Sequence, residues 1–83
     1  GEASEGLFRA RLRVRSVDAP GVLGKVATGI AELGANITRA DASTVVGRPA
    51  EIRLSLMVRD MKQLETISKR ILRIKGIVSV ERL

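Results

Sequence analysis

A chain of 83 residues, 45% of them hydrophobic, is enough for one small domain with a single core and for no more. It carries 15 Lys and Arg against 9 Asp and Glu, a net charge of +6 that keeps anionic partners in view. Cys and His are both absent, which excludes thiol chemistry, disulfides and soft or imidazole-bound metal sites, and no cofactor is expected.

Residues 1–6, Gly1-Glu2-Ala3-Ser4-Glu5-Gly6, form a polar opening that reads as a linker or cloning remnant, leaving 7–83 as the folded domain. Phe8, Ala10, Leu12 and Val14 then alternate with Arg9, Arg11, Arg13 and Arg15, the pattern of a strand with one buried and one wet face. The run Asp18-Ala19-Pro20-Gly21-Val22-Leu23 follows, where an Asx side chain and an early proline can open a helix at little cost. Val22, Val26, Ile30 and Leu33 recur at three and four, so this helix buries one side and exposes Lys25, Thr28 and Glu32 on the other.

Gly34 stops the helix and Asn36 is placed to turn the chain, after which Ile37 to Val46 is rich in strand-forming residues with weaker alternation. Gly47-Arg48-Pro49 marks a turn, and Ile52, Leu54, Leu56 and Val58 alternate with Glu51, Arg53, Ser55, Met57 and Arg59 as a third strand. Asp60 is expected to cap a second helix that buries Leu64, Ile67, Ile71 and Ile74, with Lys69, Arg70, Arg73 and Lys75 toward its C-terminal end and Gly76 closing it. Ile77, Val78 and Val80 supply a last short strand.

The order β-α-β-β-α-β predicts an α+β domain of the ferredoxin-like kind: a four-stranded antiparallel sheet in the order 4-1-3-2, with two helices on one face. Catalysis by this chain alone is not expected. It has no His, Cys or Tyr, and its acidic residues are scattered among linker, caps and strand faces. Gly24-Lys25 falls short of a phosphate-binding loop because Val26 stands where Ser or Thr is required.

Arg9, Arg11, Arg13 and Arg15 point to one side of a regular first strand, and Arg53 and Arg59 join them across the sheet. This basic face suits phosphate backbone or another macromolecular partner, yet a base-specific reader would present aromatic side chains where this sheet presents Arg, Ser and Met. A solvated face paired to Glu51 or Glu81 is the other reading. The glycine-lined helix start at Gly21 is meanwhile a natural receptor for a small carboxylate.

The pattern Asp18-Ala19-Pro20-Gly21-Val22-Leu23, Val26, Ile30, then Gly34-Ala35-Asn36-Ile37 resembles an ACT domain, the regulatory module of many amino-acid-responsive enzymes. Val14-Arg15-Ser16-Val17-Asp18, Val58 to Asp60 leading into Leu64, and the closing Gly76-Ile77-Val78-Ser79-Val80-Glu81-Arg82 are most similar to the C-terminal ACT domain of the RelA/SpoT family. That family comprises the (p)ppGpp synthetases and hydrolases of the bacterial stringent response, GTP pyrophosphokinases that carry their catalytic residues elsewhere.

The resemblance implies regulation and not turnover. It implies a homodimer, often joined edge to edge, and a small amino acid, branched-chain or serine-like, bound between the loop before the first helix and the neighbouring subunit, with Asp18, Gly21, Val22 and Leu23 in that loop and Asn36 and Ile37 after the helix as the candidate contacts. In such a pose backbone N–H groups near Gly21 take the carboxylate, Asp18 or Asn36 the amino group, and Val22 and Ile37 the side chain. Amino-acid-binding relatives often place a neutral amide where Asp18 stands, and a carboxylate there repels a ligand carboxylate set close by. The resemblance also implies contacts with the ribosome, tRNA or other domains of the parent protein, which the arginine face could serve. The ACT domain of a feedback-regulated biosynthetic enzyme and a ligand-free RNA-contacting module are the alternatives. No apolar run reaches membrane-spanning length and no secretory signal is visible, so a cytoplasmic protein is expected.

Overall fold

A computed structural model describes residues 6–17 and 21–83. Along the chain run β1 (Phe8–Ser16), α1 (Val22–Glu32), β2 (Asn36–Ser43), β3 (Ala50–Val58), α2 (Met61–Leu72) and β4 (Ile77–Arg82). The strands form one antiparallel sheet in the order β2-β3-β1-β4, the expected order read from its other edge. The fold is therefore ferredoxin-like, with β1 at the centre between β3 and β4.

Alternation decides which face is buried. Ala10, Leu12 and Val14 of β1 and Ile52, Leu54, Leu56 and Val58 of β3 point into the helix layer and are nearly inaccessible. They meet Val22, Val26 and Ile30 of α1 and Leu64, Ile67 and Ile71 of α2 in a wholly aliphatic core. Leu33, Ile74, Ile77 and Val80 pack around its margin.

The second helix behaves as its sequence suggests at the start and differs at the end. The Asp60 carboxylate accepts from the Gln63 N–H at 2.7 Å, an N-cap bond. The helix closes at Leu72, and the Arg73 and Ile74 N–H groups continue as tighter turns to the carbonyls of Arg70 and Ile71. Gly76, at φ 99°, redirects the chain into β4.

The weakly alternating stretch after α1 forms a strand over Asn36–Ser43, and Val45 and Val46 lie beyond it in the exposed β2–β3 connection. A bulge between Ile37 and Arg39 interrupts its pairing with β3, and there the Thr38 hydroxyl donates to the Ser55 carbonyl at 3.2 Å. Ala40 and Ala42, opposite Leu54 and Ile52 in the register, are exposed because this end of the edge strand is left uncovered.

Candidate functional site

Two regions carry the residues singled out by sequence. At the β1–α1 junction, Asp18 lies outside the described residues, with Ala19 and Pro20. Gly21 is the N-cap residue of α1, in the left-handed region at φ 84°. A Cβ there would meet no atom within 4 Å, so backbone conformation and not crowding demands glycine. The first helical bond runs from the Lys25 N–H to the Gly21 carbonyl, which leaves the N–H groups of the first turn pointing out of the helix end. There is no acidic side chain in that turn, so the positive end of the helix dipole is not neutralised from within α1.

Gly21 opens onto a groove of about 530 Å³ between the helices, lined also by Gly24, Lys25, Thr28, Glu32 and Arg70. Arg70 lies across Gly29 and donates to Glu32, tying α2 to α1 at this groove. Leu23 is exposed and does not line this groove, whereas Val22 is 5% exposed and belongs to the core.

Asn36 and Ile37 stand at the other end of the helix. Asn36 is the exposed first residue of β2, on the open face opposite Met57, and Ile37 packs at the core margin opposite Leu56. With α1 eleven residues long, about 16 Å of helix separates Gly21 from Asn36. One copy therefore does not bring the two groups of candidate residues together.

The second region is the open face of the sheet. Directly opposed residues of an antiparallel pair share a side, so Arg9, Arg11, Arg13 and Arg15 lie beside Met57, Ser55, Arg53 and Glu51. Arg39 and Asp41 of β2 join through Ser55 and Arg53, and Glu81 of β4 faces Arg13. The basic face is divided. Arg13 meets Glu81 at 2.9 Å, Arg53 meets Glu51 at 2.8 Å, and Arg15 approaches both carboxylates at 3.9 Å. The Arg53 hydrogen bond holds the Glu51 carboxyl below its ordinary pKa, opposed by desolvation and aided by the charges of Arg53, Arg13 and Arg15.

Arg9 and Arg11 have no carboxylate in ion-pairing range among the described residues. Arg59 stands apart from the other five. It lies past the end of β3 and lines a separate depression with Leu33, Asp60 and Gln63. Arg39, which the sequence pattern did not single out, takes a place on the face because the bulge at Thr38 brings it opposite Ser55.

Gln63 was also not singled out. It is 7% exposed and bridges the elements: its side-chain carbonyl accepts from the Arg59 N–H at 2.7 Å and its amide donates to the Leu33 carbonyl at 3.0 Å. The spacing Asp60-x-x-Gln63 was the available signal, since Gln three residues after an Asp cap is a capping-box pattern. Among the described residues no group of three or more acidic side chains could hold a metal ion, and no helix is long and apolar enough to cross a membrane.

A GTP pyrophosphokinase of Myxococcus xanthus is 32% identical over 72 residues, which covers 87% of this chain and 10% of that protein. The chain thus spans about a tenth of the length of this relative. Among solved structures, the crystal structure of the ACT domain from GTP pyrophosphokinase of Chlorobium tepidum superposes with a TM-score of 0.79 at 22% identity, covering 93% of this chain and 99% of that one. A homoserine dehydrogenase from Thiobacillus denitrificans gives a TM-score of 0.76 at 19% identity, covering 93% of this chain and 17% of that one. At these identities the two structures speak to the fold alone. The family model described as ACT domain matches residues 4–82, nearly the full chain, and the protein belongs to the ACT-domain family.

Proposed function

We propose that this chain is the regulatory ACT domain of a stringent-response (p)ppGpp synthetase/hydrolase, a cytoplasmic enzyme, and that it senses a small amino acid at a site completed between two copies. Its similarity to the Myxococcus xanthus GTP pyrophosphokinase supports the parent. The observation that carries the sensing mechanism is the placement of Gly21 and Asn36 at opposite ends of α1.

Pairing of β2 edges would bring the two groups together. β1 and β2 run in the same direction, since both are antiparallel to β3, and α1 returns between them. Gly21 therefore sits toward the end of the molecule at which β2 finishes. In an antiparallel β2–β2 pair, the partner's strand starts where this one ends, which brings Asn36 of the partner subunit toward Gly21. A twofold axis at Ala40 places Arg39 opposite the Asp41 of the other copy, an exchange of opposite charges on the open face. The ligand carboxylate would meet the N–H groups after Gly21, and Asn36 would take the amino group.

The experiment is a titration of the isotope-labelled chain with valine, leucine, isoleucine and serine, with sedimentation on the same samples. Saturable amide shifts at Gly21, Leu23 and Asn36 in a dimer are expected. Arg39→Asp is expected to yield monomer and to lose the shifts, and adding Asp41→Arg to restore both. A monomer that binds as well as the parent chain would rule out the shared site. A dimer silent to all four amino acids would remove the sensing role and leave this domain with interdomain or ribosomal contact as its regulatory means.

A further inference from the structure

The uncompensated half of the open sheet face forms a bounded site. Arg9, Arg11, Arg39 and Arg53 surround a depression of about 450 Å³ that also includes Asp41 and Ser55. Among side chains, four guanidinium groups face one carboxylate, already taken by Arg39 at 2.9 Å. Leu83, whose N–H donates to the Arg11 carbonyl at 2.9 Å, also lines the depression and carries the α-carboxylate of the 83-residue chain, which pairs with no arginine among the described residues. Arg53 is engaged by Glu51, which it shares with Arg15, so the arginines of this face without an ion-pair partner among the described residues are Arg9 and Arg11, which are both exposed.

We propose that this depression binds a compact, multiply charged phosphate, with a diphosphate or triphosphate group as the unit recognised. Guanidinium groups offer paired N–H donors in a planar fork that match phosphate oxygens, so less side-chain freedom is lost per hydrogen bond than with lysine. The extent of the free charge sets the size of the occupant. Arg9 and Arg11 are two residues apart, about 7 Å along β1, and the next arginines on the strand, Arg13 and Arg15, are paired with Glu81 and Glu51. A nucleic-acid strand needs a basic track spanning roughly 4 or more nucleotides and aromatic platforms for its bases. Here the track stops after Arg11, and the neighbouring positions on β3 are Ser55 and Met57.

The test titrates the labelled 83-residue chain at fixed ionic strength with inorganic pyrophosphate, tripolyphosphate, GTP, sulfate and a uridine-rich RNA decamer. Saturable amide shifts at Arg9, Arg11 and Ser55 are expected with tripolyphosphate, with sulfate at least about tenfold weaker because it engages fewer donors. Arg11→Ser is expected to weaken tripolyphosphate about tenfold, and Arg15→Ser, on the neutralised half, by less than about twofold. Arg9→Ser gives the same reading should the Arg11 variant lose its dispersed spectrum. Equal affinity for GTP and tripolyphosphate identifies the phosphate chain alone as the determinant, and tighter GTP identifies a nucleotide. Sulfate binding as tightly as tripolyphosphate, indifference to both arginine variants, or RNA outcompeting tripolyphosphate at these residues would overturn the proposal.

Discussion

The glycine at position 21 is explained by one dihedral angle. At φ 84° an L side chain costs about 1 kcal/mol, although a Cβ would touch nothing within 4 Å. Gly21→Ala is therefore expected to lower Tm by roughly 4–8 °C in a domain of this size, read by calorimetry, with no change in the folded spectrum away from the junction. The neighbouring Val22 shows how a motif can mislead about a single residue. Its place after Pro-Gly marks it for ligand contact, but the helical period that begins there also turns it inward to the core.

Glu51 pairs with Arg53 and Arg15 on the open face, and its charge state bears on stability. Its folded-state pKa lies below its unfolded value, so the stability it contributes is complete above the ordinary glutamate range and is lost as pH falls through the lowered value. Glu51→Gln is expected to be less stable than the parent chain at neutral pH and to converge on it in acid, as followed by thermal melts across that range.

At the scale of elements, the boundaries were legible where side chain or glycine chemistry announced them. Asp60 at the N-cap of α2, Gly34 after α1 and the Gly47-Arg48-Pro49 turn each act within a few residues, so local sequence suffices. What local sequence could not convey was compensation across strands. The four arginines of β1 look equivalent along the chain, and they differ only because Glu51 and Glu81 arrive from two other strands beside Arg13 and Arg15. The bulge that brings Arg39 onto the face is hidden for the same reason, since it is a relation between β2 and β3.

Gln63 is another such relation, joining the end of β3, the start of α2 and the end of α1. Gln63→Ala would leave the Arg59 N–H and the Leu33 carbonyl without these partners, at a cost on the order of 2 kcal/mol. Urea melts are expected to show a lower midpoint with an unchanged slope. Gln63→Glu keeps the acceptor for Arg59 but sets a buried carboxylate oxygen against the Leu33 carbonyl, so at neutral pH its midpoint is expected to fall at least as far as that of Gln63→Ala.

For the whole molecule, the topology followed from the order of elements because right-handed crossovers leave few ways to arrange two β-α-β units in one sheet. The candidate ligand site was legible as a set of residues and not as a place, because its two halves are separated by the length of α1. The central position of β1 has a kinetic consequence. The first strand to be made finds its partners in β3 and β4, and the Arg13–Glu81 bond spans 68 residues. Neither β-α-β half can seat the central strand between both neighbours on its own. Loop-closure entropy must be met before the long-range contacts repay it, so this small domain is expected to fold slowly for its size and in one cooperative step.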